Sequence, residues 1–130
     1  MNILERIKTG NWPLLKALSL RFGKKITKFD ITKDRAMQLI GDTDIKVLDV
    51  RTPKEIEKVE SLVEDAININ FYKDFEKHVA KLDKNEEYLV VCSGGVRSRK
   101  ACSIMEEQGF NNLYSLQGGM DSIKECGTWK

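Results

Sequence analysis

Tyr88-Leu89-Val90-Val91-Cys92-Ser93-Gly94-Gly95-Val96-Arg97-Ser98 passes from an apolar run to a cysteine and then to paired glycines. Four consecutive apolar residues have the length and character of a strand buried in a parallel sheet. Residues 98–108 carry a helical pattern that Gly109 can end. The stretch therefore predicts strand, glycine-rich loop and helix, with Cys92 at the carboxyl edge of the strand. In open α/β sheets that edge is where ligands bind. Two glycines allow the main chain to curl so that successive N–H groups converge, and the helix adds its positive end. Such a cradle favours an anion. If the anion is the thiolate of Cys92, no histidine is needed as its base.

The segments on either side have matching patterns. Residues 25–31 predict a strand, and residues 33–40 a helix with Ala36, Met37, Leu39 and Ile40 at helical spacing before Gly41-Asp42. Residues 45–50 form the next strand. Thr52-Pro53-Lys54-Glu55 is a helix start, in which Thr52 caps, Pro53 fits the first turn and Glu55 reaches back, with the helix running to about Val59. A brief strand follows at 66–69. Phe71, Phe75, Val79 and Leu82 mark one face of an amphipathic helix. Residues 113–116 make the last strand, and residues 120–126 a closing helix after Gly118-Gly119. Strands alternating with helices predict the α/β class, with a central parallel sheet of about five strands and helices on both faces.

Composition excludes several classes. The chain has 130 residues, 32% charged and 41% hydrophobic, which suits one folded domain in water. No stretch approaches the roughly 20 apolar residues of a membrane span. The charges at Glu5, Arg6 and Lys8, followed by Trp12, Pro13 and Lys16, do not match a signal peptide. Three cysteines, Cys92, Cys102 and Cys126, fit neither a disulfide framework nor paired zinc ligands, so a cytoplasmic location is expected. A single histidine, His78, argues against a metal site or a Cys–His protease.

Four blocks of the sequence resemble rhodanese domains. Leu48-Asp49-Val50-Arg51-Thr52-Pro53-Lys54-Glu55 is similar to the family's first signature, and Ala66-Ile67-Asn68-Ile69 to the segment after it. Cys92 to Ser98 is similar to the active-site loop, and Gly109 to Met120 to the C-terminal signature. The resemblance implies a single-domain rhodanese-like sulfurtransferase over residues 26–130. In it Cys92 takes a sulfane sulfur from a small donor of the thiosulfate or polysulfide class, as a persulfide, and passes it to a thiol or protein acceptor. The backbone amides of Ser93, Gly94, Gly95, Val96, Arg97 and Ser98 would hold the anionic sulfur. No metal, organic cofactor or nucleic-acid partner is implied. The chain departs from the family pattern in three places: Val59 to Asp65 lacks the usual Gly-His-Ile-Pro-Gly and is longer by about two residues, Ser93 stands where a basic residue is frequent, and Ile123 where tryptophan is common.

Other readings stand beside these. Cysteine phosphatases and arsenate reductases need one residue more between cysteine and arginine than the four between Cys92 and Arg97. A persulfide carrier serving a dedicated protein partner is the closest alternative, and a noncatalytic interaction module fits an intact Cys92 poorly. Arg97 can either face a donor or pair with an acidic neighbour. Asp49 and Arg51 can border the site or form a structural ion pair. Cys102 is expected to be buried, Cys126 exposed and His78 an ordinary surface side chain. Residues 1–25 form a basic extension, with Ile3, Leu4 and Ile7, then Leu14, Leu15, Leu18 and Phe22, as two apolar stripes. A helical pair packed on the domain or on a second copy is the expected form. Contact of residues 1–24 with a membrane surface, with Trp12 at the headgroups, is the alternative.

Overall fold

The computed structural model describes residues 27–126, with side chains through residue 123. The expected N-terminal helical extension and the side chain of Cys126 lie outside the described residues. Five strands and five helices follow in the order β1 (Asp30–Ile31), α1 (Lys33–Asp42), β2 (Lys46–Asp49), α2 (Pro53–Lys58), β3 (Ile67–Asn68), α3 (Phe75–Val79), β4 (Tyr88–Val91), α4 (Val96–Glu107), β5 (Leu113–Leu116) and α5 (Gly119–Cys126). The strands form one sheet in the order β1-β5-β4-β2-β3, with every pairing parallel.

The sheet is buried on both faces because its central strands are apolar on both. Leu48, Tyr88 and Val90 pack with Phe75, Val79, Ala101, Cys102 and Met105, which places α3 and α4 on one side. Val47, Leu89 and Val91 pack with Ala36, Leu116, Met120 and Ile123, which places α1 and α5 on the other. The alternation is the two-residue period of an extended chain. Cys92 keeps that period and joins the α3–α4 side.

Several predicted elements shift at their ends. Among the described residues of the expected 25–31 strand, only Asp30–Ile31 is paired, because Thr27 and Asp30 close a turn with hydrogen bonds in both directions. Helix α1 continues through Gly41 to Asp42, where Thr43 Oγ1 and N–H both donate to the Leu39 carbonyl. The expected helix over 71–82 is helical only at Phe75–Val79. Phe71 instead donates its N–H to Val50 O, Tyr72 N–H is taken by Asn70 Oδ1, and Asp74 adopts φ 48°. The apolar face survives this change, since Phe75 and Val79 are buried and Phe71 and Leu82 pack against them.

Topology positions the site. From β2 the chain moves outward to β3, whereas from β4 it moves the other way to β5. The loops leaving β2 and β4 therefore diverge at the carboxyl ends of adjacent strands, the crevice where ligands bind in such sheets.

Candidate active site

Cys92 directly follows β4 and is 1% exposed. Gly95 next to α4 adopts φ +99°, a left-handed conformation costly for any residue with a Cβ. A Cβ there would also press on the Gly118 nitrogen. Gly94 has no such constraint, so of the two glycines only Gly95 is required by its backbone. The turn at Gly95 folds the chain back over the sulfur. Gly95 N–H donates to Cys92 Sγ at 3.0 Å, and Ser98 N–H donates to it at 3.3 Å. The thiol in turn donates to Ser98 Oγ at 3.5 Å.

Helix α5 holds the loop from the other side. Met120 N–H donates to Cys92 O at 2.8 Å, and Asp121 N–H donates to Ser93 O at 2.9 Å. The first-turn amides of a helix have no partner within it, and here they take up the two carbonyls flanking the start of the loop. That contact requires Gly119, at φ +62°, since a Cβ would collide with the Cys92 and Ser93 backbone. Beneath the loop, Ser98 Oγ donates to Gly95 O at 3.1 Å and lies 2.7 Å from Ser115 Oγ. Both serines are fully buried, and with the Ser98 proton on Gly95 O, the Ser115 hydroxyl donates to Ser98 Oγ.

Charge at the loop is organised by Glu55. Its carboxylate accepts two parallel hydrogen bonds from Arg97, each 2.7 Å, and one from the Ser93 hydroxyl. It also accepts from Thr52 N–H at 3.1 Å while Thr52 Oγ1 accepts from Glu55 N–H, completing the capping box of α2. The Arg97 guanidinium, helped by the Ser93 and Thr52 donors, outweighs partial burial and holds the Glu55 carboxyl far below the usual carboxylate range. Glu55 reciprocally raises the affinity of Arg97 for its proton. The Tyr72 ring lies 5.6 Å from the guanidinium carbon of Arg97. Arg97 thus pairs with an acidic neighbour, the second of its two sequence readings. Val96 opens α4 with its side chain exposed, and Gly94 is exposed beside it.

Asp49 and Arg51 form a buried ion pair. Arg51 Nε donates to Asp49 Oδ1 at 3.0 Å and Nη2 to Oδ2 at 2.8 Å, with side chains 2% and 0% exposed. Ser61 Oγ donates to Asp49 Oδ2 at 2.6 Å, and Asn68 Nδ2 donates to the carbonyls of Asp49 and Arg51. Cys102 is buried on α4, and burial pushes its thiol far up from the ordinary value. Burial likewise raises the Asp30 carboxyl, against the hydrogen bonds from Thr27 and the nearby Arg99. His78 is exposed. Among the described residues no cluster of metal-ligating side chains exists.

Sequence reasoning missed Ser115, Tyr72 and the reach of Glu55. A serine at an inward-facing position of the strand at 113–116 was a usable signal, because a buried hydroxyl needs a partner. Glu55 was legible as a helix-capping residue, but its bonds to Ser93 and Arg97 cross 38 and 42 residues.

The chain is similar to known proteins that carry different functional names. A putative sulfurtransferase of Bacillus subtilis, YtwF, is 33% identical over 80 residues, covering 62% of this chain and 74% of that protein. A tRNA uridine(34) hydroxylase of Pelagibacter ubique is 37% identical over 86 residues, 64% of this chain but only 28% of the relative's length. A rhodanese-related protein from Thermoplasma volcanium superimposes with a TM-score of 0.66 at 28% identity, over 75% of this chain and 92% of its own. The family model of the rhodanese-like domain matches residues 32–126, and with the loop, the parallel sheet and the C-terminal glycines in place, the chain belongs to the rhodanese-like domain family.

Proposed function

We propose that the chain is a sulfurtransferase that carries a sulfane sulfur on Cys92 as a persulfide. The observation that carries this reading is the convergence of Gly95 N–H and Ser98 N–H on the sulfur of a cysteine at the carboxyl end of the central strand. Donors fixed around a sulfur stabilise negative charge on it without reorganising at the moment of reaction. In the first half-reaction the Cys92 thiolate attacks the outer sulfur of the donor. The bond from that sulfur to the rest of the donor breaks, and the leaving group departs with the electron pair. In the second, an acceptor nucleophile attacks the outer sulfur and returns the Cys92 thiolate. We assign the remaining loop amides, of Ser93, Gly94, Val96 and Arg97, to the added sulfur of the persulfide. Donor and acceptor are a sulfane-sulfur compound of the thiosulfate or polysulfide class and a thiol or protein nucleophile. The relatives named sulfurtransferase support sulfur transfer in general.

Phosphate chemistry is the poorer fit. It needs a guanidinium presented over the cysteine, whereas both Arg97 Nη atoms are bound to Glu55. The almost complete burial of Cys92 also suits a slim sulfur-terminated group better than a tetrahedral oxyanion. Free thiols at the buried Cys92 and Cys102 suit a reducing compartment such as the cytoplasm. The assignment is tested by intact mass after mixing with donor, where a gain of ~32 Da on the wild type reports the persulfide. A Cys92→Ser variant should keep the fold and its melting transition while losing the mass gain and all turnover. Wild-type turnover in that variant would eliminate the mechanism.

A further inference from the structure

The cations at the loop each have an acidic neighbour: Arg97 pairs with Glu55, and Arg99, whose Nε donates to the Gly95 carbonyl, lies 3.6 Å from Asp30. Arg97 is the one charged side chain within residues 92–98, and Glu55 takes both of its Nη atoms at 2.7 Å. Two parallel bonds of this kind match the guanidinium fork to a carboxylate and leave the pair close to neutral. The Ser93 hydroxyl, the other polar side chain at the start of the loop, donates to the same carboxylate. Tyr72 lies against Arg97 and is 68% exposed, and Val96 on the loop is 57% exposed. With Met37 these are the large hydrophobic side chains that the described residues expose, so two of the three sit at this site.

We propose that Glu55 is a specificity determinant: by occupying Arg97 and Ser93 it withholds positive charge from the mouth, so that the site takes its sulfur from a low-charge organic persulfide, R–S–SH, rather than from the thiosulfate dianion. This rests on the sulfurtransferase reading and narrows its donor. A dianion entering this partly apolar mouth loses hydration and gains the loop amides, but no full counter-charge from Arg97, which Glu55 already holds. An organic persulfide brings its reacting sulfur on a neutral carrier, and Tyr72 and Val96 offer apolar surface to the R group. The transfer balances as Cys92–S⁻ plus R–S–SH giving Cys92–S–SH plus R–S⁻. The sulfur–sulfur bond of the donor breaks as the new one forms, the proton stays on the transferred sulfur, and no external oxidant or reductant is consumed.

Glu55→Gln separates charge from local structure, because glutamine also completes a capping box at the third helical position. Steady-state kinetics with thiosulfate and with the persulfide of N-acetylcysteine methyl ester, an uncharged carrier, give the readout. Glu55→Gln should lower KM for thiosulfate about tenfold with kcat little changed, while leaving KM for the persulfide within about twofold. The double variant Glu55→Gln, Arg97→Gln should restore the wild-type thiosulfate KM. A second measurement needs no variant: wild-type kcat/KM for thiosulfate should be nearly independent of ionic strength, as expected for a masked cation. An unchanged thiosulfate KM in folded Glu55→Gln would overturn the proposal, as would a steep loss of wild-type thiosulfate activity with salt. Failure of both donors to load Cys92 would instead remove the sulfurtransferase reading beneath it, so the two failures are told apart.

Discussion

Two adjacent glycines in the loop have unequal roles. Gly95 sits at φ +99° with its N–H on the Cys92 sulfur, whereas Gly94 has open space where a Cβ would go. Alanine at 95 must either accept a left-handed backbone, at about 1–2 kcal/mol, or turn its amide away from the sulfur. Gly95→Ala should therefore lower the melting temperature and slow persulfide formation at least tenfold. Gly94→Ala should change stability by no more than about 0.5 kcal/mol. Thermal melts and donor-loading rates on the two variants check this contrast, and equal behaviour would contradict it. Sequence alone presented the glycines as a pair. Their difference lies in φ, which depends on Gly118 and Leu116 packing against position 95 from a strand and turn some twenty residues later.

At the level of elements, α5 and α2 serve the loop from opposite sides. The first amides of α5 hold the Cys92 and Ser93 carbonyls, and this close approach requires no side chain at Gly119. Gly119→Ala combines a left-handed backbone with a collision against main-chain atoms that cannot rotate away. It should destabilise by roughly 3 kcal/mol or more and abolish sulfur loading in whatever fraction folds. Denaturant titration with intact-mass loading at matched folded concentration reads both effects. Helix α2 was predicted in detail from Thr52, Pro53 and Glu55, and its capping box is present. Its second task, bringing Glu55 to Arg97 and Ser93, was not legible. Helix α3 shows the reverse case. The spacing of Phe71, Phe75, Val79 and Leu82 identified residues of the core correctly but overstated the helix, since Asn70 and Asp74 turn the chain before it starts.

Across the whole molecule, the Asp49–Arg51 pair is the polar centre that joins distant segments. Its Asp49 carboxylate links the end of β2 to Ser61 in the following connection, while Asn68 of β3 donates to the main-chain carbonyls of the same two residues. Removing one partner leaves the other charge buried and unpaired, so Arg51→Met should cost about 3–5 kcal/mol in urea unfolding. A loss below about 1 kcal/mol would show that the pair is not what ties these segments together. The sequence by itself determined the parallel α/β architecture, the succession of its elements, the cysteine at the end of the central strand and the rhodanese-like blocks around it. These are carried by short-range signals: two-residue and 3.6-residue periods, caps and glycines. Only the tertiary structure decided which amides meet the sulfur, that Arg97 is bound to Glu55, and that α5 secures the loop. Those contacts join residues far apart in the chain, and nothing in local periodicity encodes which distant donor will meet which acceptor once the sheet has closed.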